Sequence, residues 1–236
     1  MALDMWSQAL PQAFTDNEVK FIEAHLPISS GAALLDVPCG FGRHSLALAK
    51  KGCKITAIDI AEDYIHQLKA SAGAQAANIH AIQADMLEYT LHEQFDGAIC
   101  MGNSFGYFPY DDMIRFCSNV ARALPRGKKF VINTGLLAES ILPDLRTGNK
   151  WMEINDMLYL RDHTYLPGES ILKSTMKFVR GGKTETGVAY YYVFTFAEVK
   201  RMLATAGFET VEAFGNTEGA PYKLGDPQAY LVATKG

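Results

Sequence analysis

Short apolar runs recur along the chain at 32–37, 54–58, 79–84, 95–101 and 128–133, and helical stretches near 43–51, 61–72 and 111–124 stand between them. Runs of that length read as buried strands, and apolar residues returning every three or four positions read as amphipathic helices. Their alternation predicts a parallel sheet with helices on both faces. Pro125-Arg126-Gly127 stops the last of these helices before the fifth strand. Residues 1 to about 30 read as a helical preface, with Phe14, Val19, Phe21, Ile22 and Leu26 near helical spacing. Pro27 and the Ser29-Ser30-Gly31 cluster end it.

After about residue 143 the pattern changes. Trp151–Ile154, Met157–Arg161, Ile171–Val179 and Val188–Phe194 are β-rich, and Gly181-Gly182-Lys183 is a hairpin-like turn between the last two. Strands near 209–214 and 228–234 follow a helical segment that begins at Phe196. The expectation is one domain over residues 1–236, carrying a β-rich insert at about 143–194.

The densest chemistry lies in Leu34-Leu35-Asp36-Val37-Pro38-Cys39-Gly40-Phe41-Gly42-Arg43-His44-Ser45. An apolar strand ends in an acid, a glycine-bearing turn follows, and a helix begins. Glycines there allow positive φ and close approach of a ligand, and the helix start offers unpaired N–H groups. A second apolar run, Ile55–Ile58, ends in Asp59, placed to take both hydroxyls of a ribose. A dinucleotide fingerprint needs a third glycine, but Ser45 stands at that position. Asp36 ahead of the turn would repel a pyrophosphate and suits a cofactor carrying positive charge. A dinucleotide-dependent oxidoreductase is therefore the weakest reading.

The segment D-x-P-C-G-x-G-R-H resembles motif I of the class I S-adenosylmethionine (SAM) dependent methyltransferases. Four later pieces fit the same family in order: Ala57–Ile60, Ile82–Met86, Phe95–Ser104, and Phe196–Leu203 followed by Ala206-Gly207-Phe208. The resemblance covers nearly the whole chain. It implies an α/β, Rossmann-like, mostly parallel seven-stranded sheet with helices on both faces and a small antiparallel β insert over the site. It also implies SAM as cofactor and S-adenosylhomocysteine as product.

On that resemblance Asp36, Pro38, Gly40, Gly42 and Arg43 belong to the methionine portion and its turn. Asp59 belongs to the ribose, Ile60 to the adenine face, Asp85 to the adenine amino group and Met86 to stacking, and Met101, which opens the active-site segment, is also a cofactor-binding residue. The alternative for Asp59 and Asp85 is a helix N-cap; for Met86, core filling; for Arg43, a surface charge on the first helix. Met101–Phe108 is similar to the S-F-G-Y-like segment of small-molecule N-methyltransferases. Asn103 and Tyr107 are the catalytic candidates here: Asn103 and Ser104 can hydrogen-bond an acceptor or the cofactor, and Tyr107 can wall the methyl. The alternative is a turn with a satisfied Asn and core aromatics, which is the better reading for Phe108. Among the histidines, His66, His80 and His92 fall on surface patterns and His44 sits beside the turn. His163 in the insert is the candidate base. Tyr190, Tyr191 and Tyr192 alternate across a strand, so one or two face the pocket. Trp6 and Phe14 either cap the site or pack.

Composition narrows the partner. With 236 residues, 48% of them hydrophobic, the chain can bury a substantial core without disulfides or metal. A net charge of −4 argues against a nucleic-acid partner. No basic–apolar leader or long uncharged apolar run suggests secretion or a membrane span. Cys39, Cys53, Cys100 and Cys117 lack zinc spacing and read as buried reduced thiols, a disulfide being the alternative. The expectation is a cytoplasmic methyltransferase acting on an amine or hydroxyl of a small-molecule acceptor, with a homodimer allowed. An RNA or protein methyltransferase and a non-catalytic SAM-binding protein are the alternatives.

Overall fold

The computed structural model describes residues 1–145 and 150–236. Positions 146–149, at the near edge of the expected insert, lie outside the described residues. Five parallel strands come first: β1 (Ala33–Asp36), β2 (Lys54–Asp59), β3 (Ile79–Gln83), β4 (Gly97–Cys100) and β5 (Lys129–Thr134). The first of a second group, β6 (Lys150–Ile154), β7 (Met157–Leu166), β8 (Ile171–Arg180) and β9 (Lys183–Tyr192), pairs only within its own antiparallel four-stranded sheet, as do the other three. The chain then returns with β10 (Phe208–Phe214) and β11 (Ala229–Lys235), completing a seven-stranded sheet in the order β10-β11-β5-β4-β1-β2-β3. In that sheet β11 runs antiparallel to both neighbours.

Period-two alternation builds a core on each face of the large sheet. Leu35, Phe130, Ile132 and Leu231 point to one cluster, which is closed by α5 (Tyr110–Arg122) and α7 (Phe196–Thr205). Their chain neighbours Leu34, Val131, Tyr230 and Val232 point to the other. That second layer is closed by α2 (Gln12–His25), α3 (Arg43–Lys50) and α4 (Glu62–Ala72) through Ile22, Leu48, Ile65 and Leu68. Burial of each such side chain stabilises the fold by about 1.5–3 kcal/mol. Strand order reverses between β1 and β4, so the crevice that open α/β sheets use for ligands lies at the carboxyl ends of these two strands.

The preface is two helices rather than one, α1 (Ala2–Ala9) and α2. Pro11 causes the break: it has no N–H to donate, and it drives the preceding Leu10 to φ −103°, ψ 114°. The two halves go to different places. Met5 of α1 is buried against Met157, Tyr159 and Phe178 of the small sheet, whereas α2 joins the main core. A short helix unanticipated in the sequence, α6 (Ala138–Asp144), follows β5 and accepts the amide of Phe196 on Glu139, at 3.0 Å to Oε2. At seven residues with an internal proline, it is too short for periodicity to reveal.

The small sheet is fastened at its far end. Gly181 and Gly182, both at positive φ (54° and 76°), form the two-residue turn that pairs Arg180 with Lys183. At the other end of β9 the Tyr192 amide donates to the Gly106 carbonyl at 2.8 Å, and the next amide, Val193, donates to Ser170 at 2.7 Å. Thr195 then caps α7 in a reciprocal box with Glu198.

Candidate active site

The carboxyl end of β1 opens into the glycine turn. Gly40 and Gly42 both have positive φ (54° and 82°), and Gly42 is the N-cap of α3. A Cβ on Gly42 would stand 2.3 Å from Leu68 Cδ1, so that glycine is required by helix packing. A Cβ on Gly40 would meet nothing within 4 Å, and Gly40 lines the cavity described below. Its bare backbone is thus open to close approach by a ligand.

Asp59, at the end of β2, holds this turn in place. One carboxylate oxygen accepts the Gly40 amide at 2.8 Å and the other accepts the Ala61 amide at 2.9 Å. Burial raises its pKa, and the backbone donors oppose the shift. Asp59 is therefore not a helix N-cap, since Ala61 holds that place in α4 without a side-chain bond; its carboxylate braces the turn, and the residue lines the cavity. Asp85 behaves alike: Oδ1 accepts the Leu87 amide at 2.8 Å, and the residue lines the same cavity. Ile60, 66% exposed, and Met86, half-buried against the core, line it beside them.

Asp36 is placed differently from the expectation. It is buried behind the turn and is absent from the cavity wall. Oδ2 accepts the Ser45 hydroxyl at 2.6 Å, while Oδ1 has no hydrogen-bond partner. Burial pushes its pKa up to about 7 despite the Ser45 bond and the nearby Arg43. Asp36 therefore meets the turn through Ser45 and α3 and does not face the cavity. A half-satisfied buried carboxylate behind an open glycine turn, with Asp59 and Asp85 in the wall, fits a cationic nucleoside cofactor.

Arg43 is not a surface charge. It reaches the cavity wall with its guanidinium bonded to buried Glu18, donates to Thr15 Oγ1 at 3.1 Å and lies 5.6 Å over the Phe14 ring. Phe14 therefore supports Arg43 and is not among the lining residues. Glu18 also accepts from His44 Nε2 at 3.0 Å and from the Tyr230 hydroxyl at 3.4 Å. Burial alone would raise the Glu18 pKa, but His44 and Arg43 outweigh it and hold the carboxyl below its ordinary value. Burial lowers that of His44. The consistent state is an ionised Glu18, a charged Arg43 and a neutral His44. Glu18 escaped the sequence reading, although its spacing with Thr15, Val19 and Ile22 places it on the buried stripe.

Opposite the cofactor turn, the exit of β4 forms the second wall. Met101 is buried, and Gly102 and Asn103 both take positive φ (77° and 66°). For asparagine that conformation is uncommon and needs support from its surroundings. Here Asn103 Oδ1 accepts the Gly135 amide at 2.5 Å, and the Gly102 amide donates to Asn133 Oδ1 at 3.3 Å. Asn133 in turn donates to Gln228 at 2.9 Å, which ties β4, β5 and the approach to β11 together. Tyr107 presents its ring to the cavity, 5.6 Å from Tyr191 between centroids. Burial, then Tyr191, pushes its hydroxyl well above the ordinary tyrosine value, so it stays protonated at neutral pH. Phe108 both packs on the core and lines the cavity, so core packing is only half of its role.

The small sheet supplies the third wall. Alternation along β7 turns Tyr159, Arg161 and His163 to the cavity, joined by Ser174 and Met176 of β8 and by Ala189 and Tyr191 of β9. Tyr190, by contrast, is 52% exposed, and Tyr192 stacks on Phe194. Trp6 and Leu10 close the edge, with the Trp6 ring 5.5 Å from Tyr159. The enclosed space is about 1170 Å³. It brings together every expected site residue except Asp36 and Gly42. Arg161 was missed, though the Tyr159-x-Arg161-x-His163 spacing puts all three on one strand face. All four cysteines are buried and free. Among the described residues no cluster could hold a metal ion, and no helix is long and apolar enough to cross a membrane.

Comparison with known proteins agrees with this geometry. Residues 34–127, which hold β1 to β4 and the turn, match the methyltransferase domain family. The chain is 32% identical over 146 residues to the putative methyltransferase YqeM of Bacillus subtilis, covering 59% of this chain and 57% of that protein. It is 26% identical to the cypemycin N-terminal methyltransferase of a Streptomyces species, over 91% of this chain and 87% of the relative. The fold is shared with the CcbJ methyltransferase from Streptomyces caelestis (TM-score 0.83, 18% identity, 97% of this chain and 98% of that one). It is also shared with the sugar N-methyltransferase KedS8 from a Streptoalloteichus species (TM-score 0.76, 19% identity, 99% and 92%). Residues 34–127 thus carry a methyltransferase domain, and the chain as a whole has the fold of SAM-dependent methyltransferases.

Proposed function

We propose that the protein transfers a methyl group from SAM to an amine or hydroxyl of a small metabolite and releases S-adenosylhomocysteine. The observation that carries this reading is one continuous cavity of about 1170 Å³ joining the Gly40–Asp59–Asp85 wall to the Tyr107–His163–Tyr191 wall. A single small ligand occupies about 300–1,000 Å³ of such space, so there is room for a cofactor and an acceptor together. The relatives' names, an N-terminal and a sugar N-methyltransferase, favour an amine.

When bound, SAM supplies an activated methyl on a sulfonium with a neutral thioether as leaving group. The chain's own residues bind and orient. Asp59 would hold the ribose hydroxyls, Ile60 and Met86 the adenine faces, and Asp85 the adenine amino group. Pro38, Gly40, Gly42, Arg43 and Met101 would shape the methionine end, with Asp36 adding its charge from behind. Asn103 and Tyr107 would position the acceptor, because tethering and protonation fix both side chains. Such positioning supplies most of what a transfer of this kind needs. His163 is the group placed to take the acceptor's proton. The small sheet and α1 cover one side of the cavity, and shielding from water there would favour a charge-neutralising displacement.

The unit that does this is the single domain 1–236, with the small sheet as its substrate-covering insert. Four buried, unbridged thiols suit a reducing compartment, which supports a cytoplasmic enzyme. The test is transfer of an isotopically labelled methyl from SAM into a metabolite extract, read by mass spectrometry, with Asp59→Ala as control. A labelled small molecule absent from the control is the expected result. No label from protein that binds SAM would sink the small-metabolite reading.

A further inference from the structure

We propose that Arg161, flanked by Tyr159 and Tyr191, seats a carboxylate of the acceptor, so that the substrate is a small acid rather than a neutral or cationic metabolite. This rests on the methyl-transfer reading above and adds the chemical class of the acceptor.

Charge is divided unevenly around the cavity. Both lining carboxylates stand on the cofactor side, Asp59 at the end of β2 and Asp85 two residues beyond β3. The small-sheet wall contributes Lys150 and Arg161 and, among the described residues, no acid. A cavity with an acidic cofactor end and a basic far wall selects an anion for the far wall.

Arg161 is the group able to read that anion. Register places Lys150, Arg161, Met176 and Gly187 in one row across the small sheet, with side chains on the cavity face. Gly187 adds no side chain, and a Cβ there would meet only Met176 Cε, at 3.9 Å, so the row is open beside the guanidinium. Arg43, Arg115 and Arg180 each have an acidic partner, whereas Arg161 has none among the described residues. Its electrostatic neighbours are the hydroxyl groups of Tyr159 and Tyr191, which burial keeps protonated while the guanidinium opposes that shift only in part. A half-buried guanidinium on a cavity wall it shares with two phenols presents the planar fork that pairs bidentately with a carboxylate. Arg161 also lines an adjoining cavity of about 350 Å³ with Trp151 and Met152, which leaves space for the body of the acid.

The test separates the seat from the chemistry. Binding of benzoate and of its uncharged isostere benzamide is measured by calorimetry on the wild type, Arg161→Gln and Arg161→Lys. The wild type prefers benzoate at least about tenfold, Arg161→Gln abolishes the preference, Arg161→Lys keeps part of it, and SAM affinity is the same in all three. Absent or equal binding of benzoate, or a preference surviving in Arg161→Gln, overturns the proposal. So does a fall of SAM affinity in Arg161→Gln, because the guanidinium would then serve the cofactor's own carboxylate. In the labelled-methyl experiment the product carries a carboxylate; a labelled product without one overturns the seat and leaves methyl transfer standing. A benzoate preference with no labelled product keeps the seat and removes the transfer reading.

Discussion

Gly40 and Asp59 are joined across the mouth of the cofactor turn: the glycine amide donates to the aspartate Oδ2 at 2.8 Å, across nineteen residues of sequence. The same carboxylate that would face a ribose thus also fixes the backbone facing the methionine end. Ligand affinity and turn geometry are coupled through one side chain.

Asp59→Ala should therefore cost more than a lost ligand contact. Two backbone donors lose their acceptor, and SAM binding weakens by about 1–3 kcal/mol. Asp59→Asn keeps one acceptor oxygen and should fall between the two. Calorimetry with SAM, beside urea melts of the same proteins, checks both effects. Unchanged affinity in Asp59→Ala would remove the ribose assignment.

Asp36 makes stability depend on pH. Its carboxyl titrates near 3.8 when unfolded and at about 7 in the folded protein. Between those values the folded state holds the extra proton. The stability it contributes is full below about pH 4, falls as pH rises to about 7, and is gone above, a span of about 4 kcal/mol. Asp36→Asn should flatten this part of the profile and unfold at higher urea than the wild type at pH 8. Urea melts from pH 4 to 8 decide it; an unchanged slope in the variant would assign the effect elsewhere.

Asn103 couples backbone strain to the acceptor wall. Asn103→Ala loses the bond to the Gly135 amide and keeps a non-glycine side chain at positive φ, and should destabilise the protein by about 1–3 kcal/mol. Asn103→Gly relieves the φ penalty and should recover about 1 kcal/mol of that loss. Labelled-methyl assays at saturating SAM should show both variants slowed, since neither can position an acceptor through the amide. A fully active Asn103→Gly would make the residue structural only.

Glu18→Gln removes the charge that balances Arg43 in a buried setting. Breaking one side of such a pair costs about 3–5 kcal/mol, and the effect should appear in thermal melts even without cofactor. Glu18→Gln with Arg43→Met should recover much of the loss. Non-recovery would show that His44 and Tyr230 depend on Glu18 more than Arg43 does.

The layered sheet was legible because its strands follow the simplest rule. Leu34 and Leu35 are adjacent apolar residues buried on opposite faces, which only a strand covered on both sides permits. The glycine turn was legible because positive φ calls for glycine at Gly40 and Gly42. Asp59 was legible as an acid closing an apolar strand, whereas Asp85, two residues beyond β3, was legible only through the resemblance of Ile82–Met86 to a family motif. The far wall was not. Along β7 the inward residues are Tyr159, Arg161 and His163, so the usual apolar-in pattern is replaced by functional polarity. Glu18 was hidden for a similar reason: its partners Arg43 and His44 lie a helix away, and pairing across that gap leaves no mark on local periodicity. The break between α1 and α2 was written in Pro11, where a 3.6-residue pattern on either side masked it.

The Tyr192–Gly106 bond makes the acceptor loop and the last strand of the small sheet one mechanical piece. A Cβ on Gly106 would press on the Tyr192 carbonyl at 3.1 Å, so the join has no slack. Any tilt of the small sheet is transmitted to Tyr107, the next residue. Grafting a relative's insert onto this chain therefore means moving 101–108 with it: the cover and the hinge it rests on are a single exchangeable cassette.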